Sequence, residues 1–267
     1  MAALTQALAY RGIMKKKQSL LRPSSSNNIQ LTREAVKWIT GHEESDATIW
    51  LSLRQSTIRP KVRQFLFKTM HEVFKIGEYW NRIPDIAERS ICSTCRTTES
   101  MSHILSHCRS DPNKIIWDLA KTTWPHNDLP WPGNDLGTIL GCGCITAQKA
   151  ANQNQNNNQN TSNAHLRGAT CLLHILISES AFLIWVLRCE RVIHEKIHSH
   201  QEIKSKWLHV INERLTEDKI NATQIKRNKG FTKLVVDTWE KVLEKEGALP
   251  NAWTNRREVL VGSRVRP

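Results

Sequence analysis

Apolar residues recur at helical spacing through the first half of the chain. Between residues 29 and 41 one face is apolar and comprises Leu31, Ala35, Val36 and Ile39. Gly41 follows as a helix stop, so the pattern predicts an amphipathic helix. Asp46 is a suitable N-cap for a second, short helix. The apolar residues of that helix are Ile49, Trp50 and Leu53.

The clearest helical pattern begins at Pro60, a residue that favours the first turn of a helix. Its apolar stripe comprises Val62, Phe65, Leu66, Thr69, Val73 and Ile76. Gly77 is expected to end this helix. The opposite face carries Lys61, Lys68, Glu72 and Lys75. Further helices are predicted from Asp111, near 203–220 and near 231–246. Because no long alternating strand pattern occurs, we predict a mainly α fold.

One long apolar segment, residues 169–193, admits two interpretations. A membrane-spanning helix needs about 20 apolar residues, and the stretch between Arg167 and Arg188 is barely that long. It contains His174 and Glu179, and a central acid costs about 2.5–3.5 kcal/mol to insert. We therefore predict a buried core helix and no membrane partner.

Two polar segments divide the chain into four predicted parts. Residues 1–28 are basic, contain no acid and end in a Pro, Ser and Asn run that is typical of a linker. Residues 29–145 are predicted to form a small helical domain, stapled by zinc because Cys92, Cys95, His103 and Cys108 have the spacing of its ligands. The Asn/Gln-rich tract at 151–163 has nothing to bury, so residues 146–165 are predicted to be a disordered linker. Residues 166–267 form the predicted helical C-terminal region.

The composition is strongly basic. The chain has 38 Lys and Arg residues against 25 Asp and Glu residues, a formal net charge of +13. This balance favours a polyanionic partner. Apolar residues make up 39% of the chain, which excludes a wholly membrane-embedded protein, and ten Trp argue against a fully disordered one.

The seven cysteines argue against a disulfide framework, because the number is odd and no signal peptide is recognisable. We expect an intracellular location, in the nucleus or cytoplasm, where clustered cysteines more often bind metal than pair. Cys142 and Cys144 form a C-x-C loop without nearby partners and are interpreted as free thiols in a flexible turn. Cys171 and Cys189 lie on apolar helix faces and are expected in the core.

One cluster has the spacing of a structural metal site. Cys92, Cys95, His103 and Cys108 give the pattern C-x2-C-x7-H-x4-C, and Zn²⁺ favours four sulfur or nitrogen ligands in a tetrahedron. His103 and Cys108 are five residues apart, which is awkward on a regular α-helix, whereas His103 and His107 share a helix face. His107 is therefore an alternative fourth ligand. We favour Cys108, brought in by a helix that ends at Ser106 or His107.

A second pattern is typical of a zinc peptidase. His194, Glu195 and His198 form H-E-x-x-H, in which both His side chains bind metal and the Glu is the general base. Glu217 lies close to the position of a third ligand. The motif fixes only three positions, however, and its surroundings are polar and basic. We favour a solvated helix face and keep a metallopeptidase as the third hypothesis.

The residues around the Cys/His cluster resemble those of a known family. They comprise Arg63 to Lys68, His71, Lys75 to Gly77, Tyr79, Trp80, the four candidate ligands and Glu99 to Leu105. In this order they closely resemble the zinc-binding domain that follows reverse transcriptase in non-LTR retrotransposon polyproteins, especially fungal ones that also carry RNase H. The similarity extends to residues 9–13, 183–193, 207–215, 238–243 and 259–262, so it covers nearly the whole chain.

The resemblance implies an accessory region, or a truncated copy, that begins just after RNase H. It implies that the zinc module helps a polymerase to engage RNA, DNA or an RNA–DNA hybrid, with the reverse transcriptase/RNase H portion of the same element as a partner. The chain has no Asp-Asp pair, and Glu34 is the only acid among its first 37 residues. Because both enzymes need clustered carboxylates around Mg²⁺, we predict no catalytic residues and no enzyme activity.

A basic and aromatic stretch is the predicted nucleic-acid surface. Its members are Arg59, Lys61, Arg63, Lys68, Lys75, Tyr79 and Trp80. Basic side chains hold phosphates, and exposed aromatic rings stack on bases. Alternatively, the aromatic residues belong to the core and the charges only solvate a surface. The chain would then be a protein-interaction scaffold with purely structural zinc.

Overall fold

The computed structural model describes residues 5–16, 22–127, 129–147, 163–224, 229–250, 252–256 and 258–262. The α-helices in these residues are α1 (Gln6–Lys16), α2 (Pro23–Thr40), α3 (Asp46–Ser52), α4 (Pro60–Met70), α5 (Glu78–Asn81), α6 (Asp111–Thr123), α7 (Leu136–Leu140), α8 (Asn163–His194), α9 (His200–Gln224) and α10 (Lys229–Trp239). Over the same residues, β-pairing is confined to two isolated bridges, Ile91 with Thr98 and Leu243 with Val261. The prediction of a mainly α fold is confirmed.

The long apolar helix α8 lies at the centre of the fold. It contacts α4, α6 and α7 from the first half of the chain and α9 and α10 from the second. Its length and apolarity would suffice to cross a membrane, but 72% of its most apolar window is buried inside the protein. The segment that admitted two interpretations is thus packed as a core helix.

The polar side chains of α8 have partners inside the core. The pKa of His174 is lowered to about 4 by burial, so its ring is neutral at physiological pH. Its Nε2–H donates to the Ile145 carbonyl at 3.0 Å, and its Nδ1 accepts from the Thr57 hydroxyl at 2.9 Å. Glu179 accepts hydrogen bonds from Arg59 at 2.7 and 2.5 Å. These partners make the two polar residues compatible with a buried helix.

One apolar core runs through both halves of the chain. It includes Ile29, Val36, Leu66, Ile116 and Leu140 from the first half and Leu176, Trp207, Ile211 and Trp239 from the second. The predicted 29–145 and 166–267 regions therefore share a core rather than each having its own. The Asn/Gln-rich tract at 151–163 is predicted to be disordered. Of this tract, only Asn163 at the start of α8 is among the described residues.

The predicted linker from Pro23 to Asn28 is instead the start of helix α2. Pro23 lies in the first turn, where a missing N–H costs nothing. The Asn28 side-chain amide is buried and donates to the carbonyls of Thr69 and Met70 at 3.3 and 3.2 Å. It satisfies backbone carbonyls at the end of α4 that have no partner within that helix. The polar residues from Pro23 to Asn28 can therefore be helical, because the Asn28 side chain hydrogen-bonds to the end of α4.

Some helix ends differ from those predicted. Gly41 has φ +72°, and its N–H donates to the Lys37 carbonyl at 2.8 Å, which ends α2 as expected. Helix α4, however, ends at Met70 rather than at Gly77, and Glu72 follows with φ +48°. Val73 is consequently exposed instead of lying in the apolar stripe.

Cys142 and Cys144 do not lie in a flexible turn. They form a 3-10 turn whose side chains are buried in the common core. Burial raises the pKa of the Cys142 thiol to about 12, so it stays protonated at physiological pH. In this position the pair acts as small apolar side chains.

Candidate functional site

A tight turn brings Cys92 and Cys95 to the same side of the backbone. The Cys92 N–H donates to the Thr97 carbonyl at 2.8 Å, and the Arg96 N–H donates to the Cys92 carbonyl at 2.8 Å. Arg96 has φ +58°, which reverses the chain directly after Cys95. Ile91 pairs with Thr98 and closes the turn. We call residues 91–98 the cysteine turn.

A wide helical turn supplies the other two candidate ligands. Residues His103–His107 form a π-helical turn, closed by a hydrogen bond of 2.7 Å from the Cys108 N–H to the His103 carbonyl. Cys108 itself is extended, with φ −66° and ψ +131°. The helix ends at His107 as expected. The wider turn also brings together two residues that are five apart, which a regular α-helix does not do.

The four candidate ligands converge on one point. Their ligand atoms all lie within 4.8 Å of one another. The Cys108 Sγ is 3.7 Å from the Cys92 Sγ and 3.9 Å from the Cys95 Sγ. Sulfurs bound tetrahedrally at the Zn–S distance of about 2.3 Å would lie roughly 3.8 Å apart. The Nε2 of His103 is buried without a hydrogen-bond partner, as expected of an atom reserved for a metal.

His107, the alternative ligand, points away from this cluster. Its side chain is exposed, and its Nδ1 lies 3.2 Å from the carbonyl oxygen and 3.3 Å from the Oγ of Ser102. The structure therefore brings Cys92, Cys95, His103 and Cys108 together as a Cys3His cluster that can hold a metal ion.

The protonation state of the cysteine thiols in the cluster favours the binding of a cation. Burial disfavours the Cys92 thiolate, but the adjacent His103 imidazole and the backbone N–H groups of Cys95 and Thr94 outweigh it and lower the pKa of Cys92 to about 6. Burial raises the pKa of Cys108, and the nearby Cys92 adds to this. Without a metal, the cluster thus holds a thiolate beside a protonated thiol, and a metal would displace the remaining thiol protons.

Two contacts fix the cysteine turn to the rest of the fold. Gly77 has φ +51°, and a Cβ there would lie 2.1 Å from the Glu99 carbonyl oxygen, so only glycine allows this close approach. The Glu99 carboxylate is buried and accepts hydrogen bonds from Arg188 of α8, with Arg191 at 3.5 Å. The candidate metal centre is therefore attached directly to the central helix.

Arg59 does not lie on the predicted nucleic-acid surface. Its side chain is only 8% exposed and forms a two-point ion pair with Glu179 of α8. Glu217 lies a further 3.3 Å from its guanidinium. Although burial opposes the charge, these carboxylates raise the pKa of Arg59. Arg59 is a structural residue, since its hydrogen-bonding edge already faces a buried carboxylate.

The other predicted surface residues are more accessible. Lys61, Lys68 and Lys75 are exposed, whereas Arg63 is half-buried. The Arg63 Nε donates to the Ile58 carbonyl at 2.6 Å. Tyr79 is exposed, with the Lys75 Nζ 5.3 Å from the centre of its ring. Trp80 is half-buried, and the guanidinium of Arg89 lies 6.0 Å from its ring.

An aromatic cavity beside α4 was not predicted. It has a volume of about 550 Å³ and is lined by Trp50, Leu51, Leu53, Arg54, Arg63, Gln64, Phe67 and His71. The indole of Trp50 stacks on the His71 imidazole at 5.0 Å, and Phe67 meets the same imidazole edge-on at 4.6 Å. A signal was present in the sequence, because Phe67 interrupts the polar face of the predicted helix. We call this site the aromatic cavity.

The H-E-x-x-H pattern does not occupy one helix face. Helix α8 ends at His194, and Glu195 takes φ +53°. His198 instead places its Nε2 2.5 Å from a carboxylate oxygen of Glu190. In the part of the chain that the structure describes, the Cys3His cluster is the one group of three or more potential ligands. The geometry of a zinc peptidase, two His side chains one helical turn apart, is missing from this segment.

Comparison with family models, with curated proteins and with solved structures finds no match to the chain.

Proposed function

We propose that the chain is a non-catalytic, zinc-stabilised region that binds single-stranded nucleic acid, as an accessory part of a retrotransposon reverse transcriptase. Its proposed partners are RNA, DNA or an RNA–DNA hybrid and the reverse transcriptase/RNase H portion of the same element, within the nucleus or cytoplasm. The observation that carries the proposal is the aromatic cavity, which is flanked by two arginines and has no carboxylate among its lining residues.

The exposed face of α4 combines the two groups that a single strand needs. Phe67 lies one helical turn from Arg63 and next to Lys68, and its side chain is 48% exposed. Arg54 lies on the other side of the cavity and is exposed. Bases stack on aromatic rings with little sequence preference, while cations beside them hold the phosphates. A surface of this kind suits unpaired nucleotides better than a duplex, whose bases are already stacked.

The proposed metal is zinc, and its proposed role is structural. Three thiolates and one imidazole complete a tetrahedral shell, which leaves no open position for a substrate. Binding of such an ion would stabilise the fold of the segment that carries its ligands. The resemblance to retrotransposon zinc-binding regions supports the same assignment. The proposed lack of catalysis is supported by the sequence, because the chain has no Asp-Asp pair to hold the metal ions of a polymerase.

Replacing Lys61, Lys68 and Lys75 together by Gln should weaken nucleic-acid binding in a salt-dependent way. Each phosphate contact contributes about 0.7–0.9 to the slope of log affinity against log salt, because binding releases a counterion. We expect the slope to fall by roughly two to three units, with little change in sequence preference, since phosphate contacts carry no base information. The measurement is fluorescence anisotropy with labelled single strands over a series of salt concentrations.

The three lysines are exposed, so folding and metal content should be unchanged in this variant. A matched control replaces Lys114, Lys121 and Lys245, which removes the same charge from elsewhere on the chain. An unchanged slope in the folded Lys61, Lys68 and Lys75 variant would favour the alternative function, a protein-interaction scaffold with structural zinc.

Replacing Phe67 by Ala should weaken binding without changing the salt slope. Stacking of one base on an aromatic side chain contributes about 1–3 kcal/mol, so we expect a loss of roughly 5- to 150-fold in affinity. In this variant, binding of the labelled strand should also quench the fluorescence of Trp50, which lines the same cavity, less strongly than in the wild type. The matched control is Trp38→Ala, which removes an aromatic residue that is 84% exposed on α2, outside the cavity. Equal effects of the two substitutions would contradict the assignment of the cavity.

A further inference from the structure

The three cysteines of the candidate metal centre differ in their accessibility to solvent. Cys92 and Cys108 are buried, whereas Cys95 is only half-buried. Cys95 lies near the end of the cysteine turn, and the residue that follows it, Arg96, is exposed. A small reagent that arrives from solvent therefore meets Cys95 before the other two cysteines.

A second cysteine lies within reach of Cys95. The Cys108 Sγ is 3.9 Å from the Cys95 Sγ, and a disulfide requires about 2.05 Å between its two sulfurs. The two sulfurs therefore have to approach each other by about 2 Å. The staggered rotamers of a cysteine place its sulfur at positions that differ by more than this. Cys108 is thus positioned to react with an oxidised Cys95.

The cysteines outside the metal centre are poor targets for an oxidant. Burial raises the pKa of Cys142 to about 12, and it also raises the pKa of Cys171 and of Cys189. Because the thiolate is the reactive form of cysteine, these thiols react slowly near neutral pH. Cysteines that bind a metal are already thiolates. An oxidant should therefore react at the metal centre rather than in the core.

We propose that Cys95 is a site of oxidation by peroxide, and that Cys108 completes the reaction by forming a disulfide with it. The Cys95 thiolate attacks one oxygen of hydrogen peroxide, the O–O bond breaks and hydroxide leaves, which gives a sulfenic acid. The Cys108 thiolate then attacks the Cys95 sulfur and displaces a second hydroxide. The two cysteines lose two electrons, the peroxide gains them, and two protons convert the hydroxides to water.

The disulfide leaves the metal centre with only two ligands, Cys92 and His103. A structural zinc site needs four, so oxidation releases the metal. The effect reaches the core, because Glu99 follows the cysteine turn directly and its buried carboxylate accepts from Arg188 of α8. The metal centre would therefore respond to peroxide by loosening a segment that is attached to the central helix.

The test exposes the full chain, loaded with zinc, to hydrogen peroxide at neutral pH. A chromogenic zinc chelator follows the release of the metal, and peptide mapping by mass spectrometry locates the disulfide. We expect one zinc to be released per chain and a disulfide between Cys95 and Cys108, while Cys142 and Cys144 stay reduced. Reduction with dithiothreitol, followed by addition of zinc, should restore the starting state.

Two substitutions form a matched pair, because histidine is also a zinc ligand. Cys95→His removes the accessible thiol and should slow the release of zinc by about tenfold or more. Cys92→His keeps both Cys95 and Cys108 and should release zinc at the wild-type rate. Equal rates for the two variants would overturn the assignment of Cys95. The wild-type peptide map tests the pairing even where a variant does not bind zinc.

The proposal rests on the assignment of the metal and goes beyond the proposed binding of nucleic acid. A zinc-loaded chain that keeps its metal and its thiols under peroxide would overturn it, and so would a disulfide that contains Cys92. A chain that binds no zinc would contradict the metal assignment and this proposal together. Loss of nucleic-acid binding in the Lys61, Lys68 and Lys75 variant has no bearing on the oxidation, so the two proposals can fail separately.

Discussion

Replacing Cys95 by Ser should release the metal and unfold residues 85–110. Structural zinc contributes on the order of 10 kcal/mol or more to local folding, and the cysteine turn contains few apolar residues that could replace this energy. Elemental analysis should find one zinc per wild-type chain and almost none in the variant. Hydrogen exchange should show loss of protection in the cysteine turn and in the π-helical turn.

The matched control for this substitution is His107→Ala. His107 lies within the same segment, but its side chain is exposed and hydrogen-bonded near Ser102, so the metal should stay bound. Cys108→Ser should behave like Cys95→Ser. If His107→Ala loses the metal and Cys108→Ser keeps it, the fourth ligand has been assigned to the wrong residue.

Replacing Arg59 by Met should destabilise the whole fold by about 3–5 kcal/mol, because it leaves the buried carboxylate of Glu179 without its counter-charge. Arg59 joins the start of α4 to the middle of α8, so the loss affects the shared core. Glu179→Met should cost a similar amount. Denaturant-induced unfolding, followed by far-ultraviolet circular dichroism, gives the free energy of unfolding for each variant.

The double variant Arg59→Met, Glu179→Met separates charge from packing. Two apolar side chains of similar size remove both the charge and the cost of burying it, so much of the lost stability should return. The control Lys37→Met breaks an exposed ion pair with Glu43, and its effect should be far smaller. An effect of Arg59→Met as small as that of Lys37→Met would show that the buried pair does not hold the two helices together.

Local signals were sufficient to predict most of the helices. Pro60 and Gly41 mark helix boundaries by their own backbone preferences, which act wherever the residue lies. The convergence of the four candidate ligands could likewise be predicted, because their spacing in the sequence constrains their spacing in space. The width of the π-helical turn could not be predicted, because the residues from His103 to His107 carry no local signal for a hydrogen bond between residues five apart.

Long-range partners explain what the sequence left undetermined. Asn28 looks like a linker residue until Thr69 and Met70 are placed beside it. Arg59 looks like a phosphate ligand until Glu179, 120 residues further along, is placed beside it. The side chain alone does not distinguish a cation that meets solvent from one that meets a buried carboxylate. Only the packing of α4 against α8 decides between them.

The position of α8 along the chain has a consequence for synthesis on the ribosome. The helix is the most apolar segment, and many of its packing partners precede it, namely α4, α6, α7 and the π-helical turn. Segments synthesised first generally fold first, so the part of the surrounding surface that precedes α8 in the chain can form before α8 emerges. The Glu99 carboxylate that pairs with Arg188 belongs to that early surface. If the cluster binds its metal as proposed, metal supply during translation would affect how much of this early surface is folded when the apolar helix emerges.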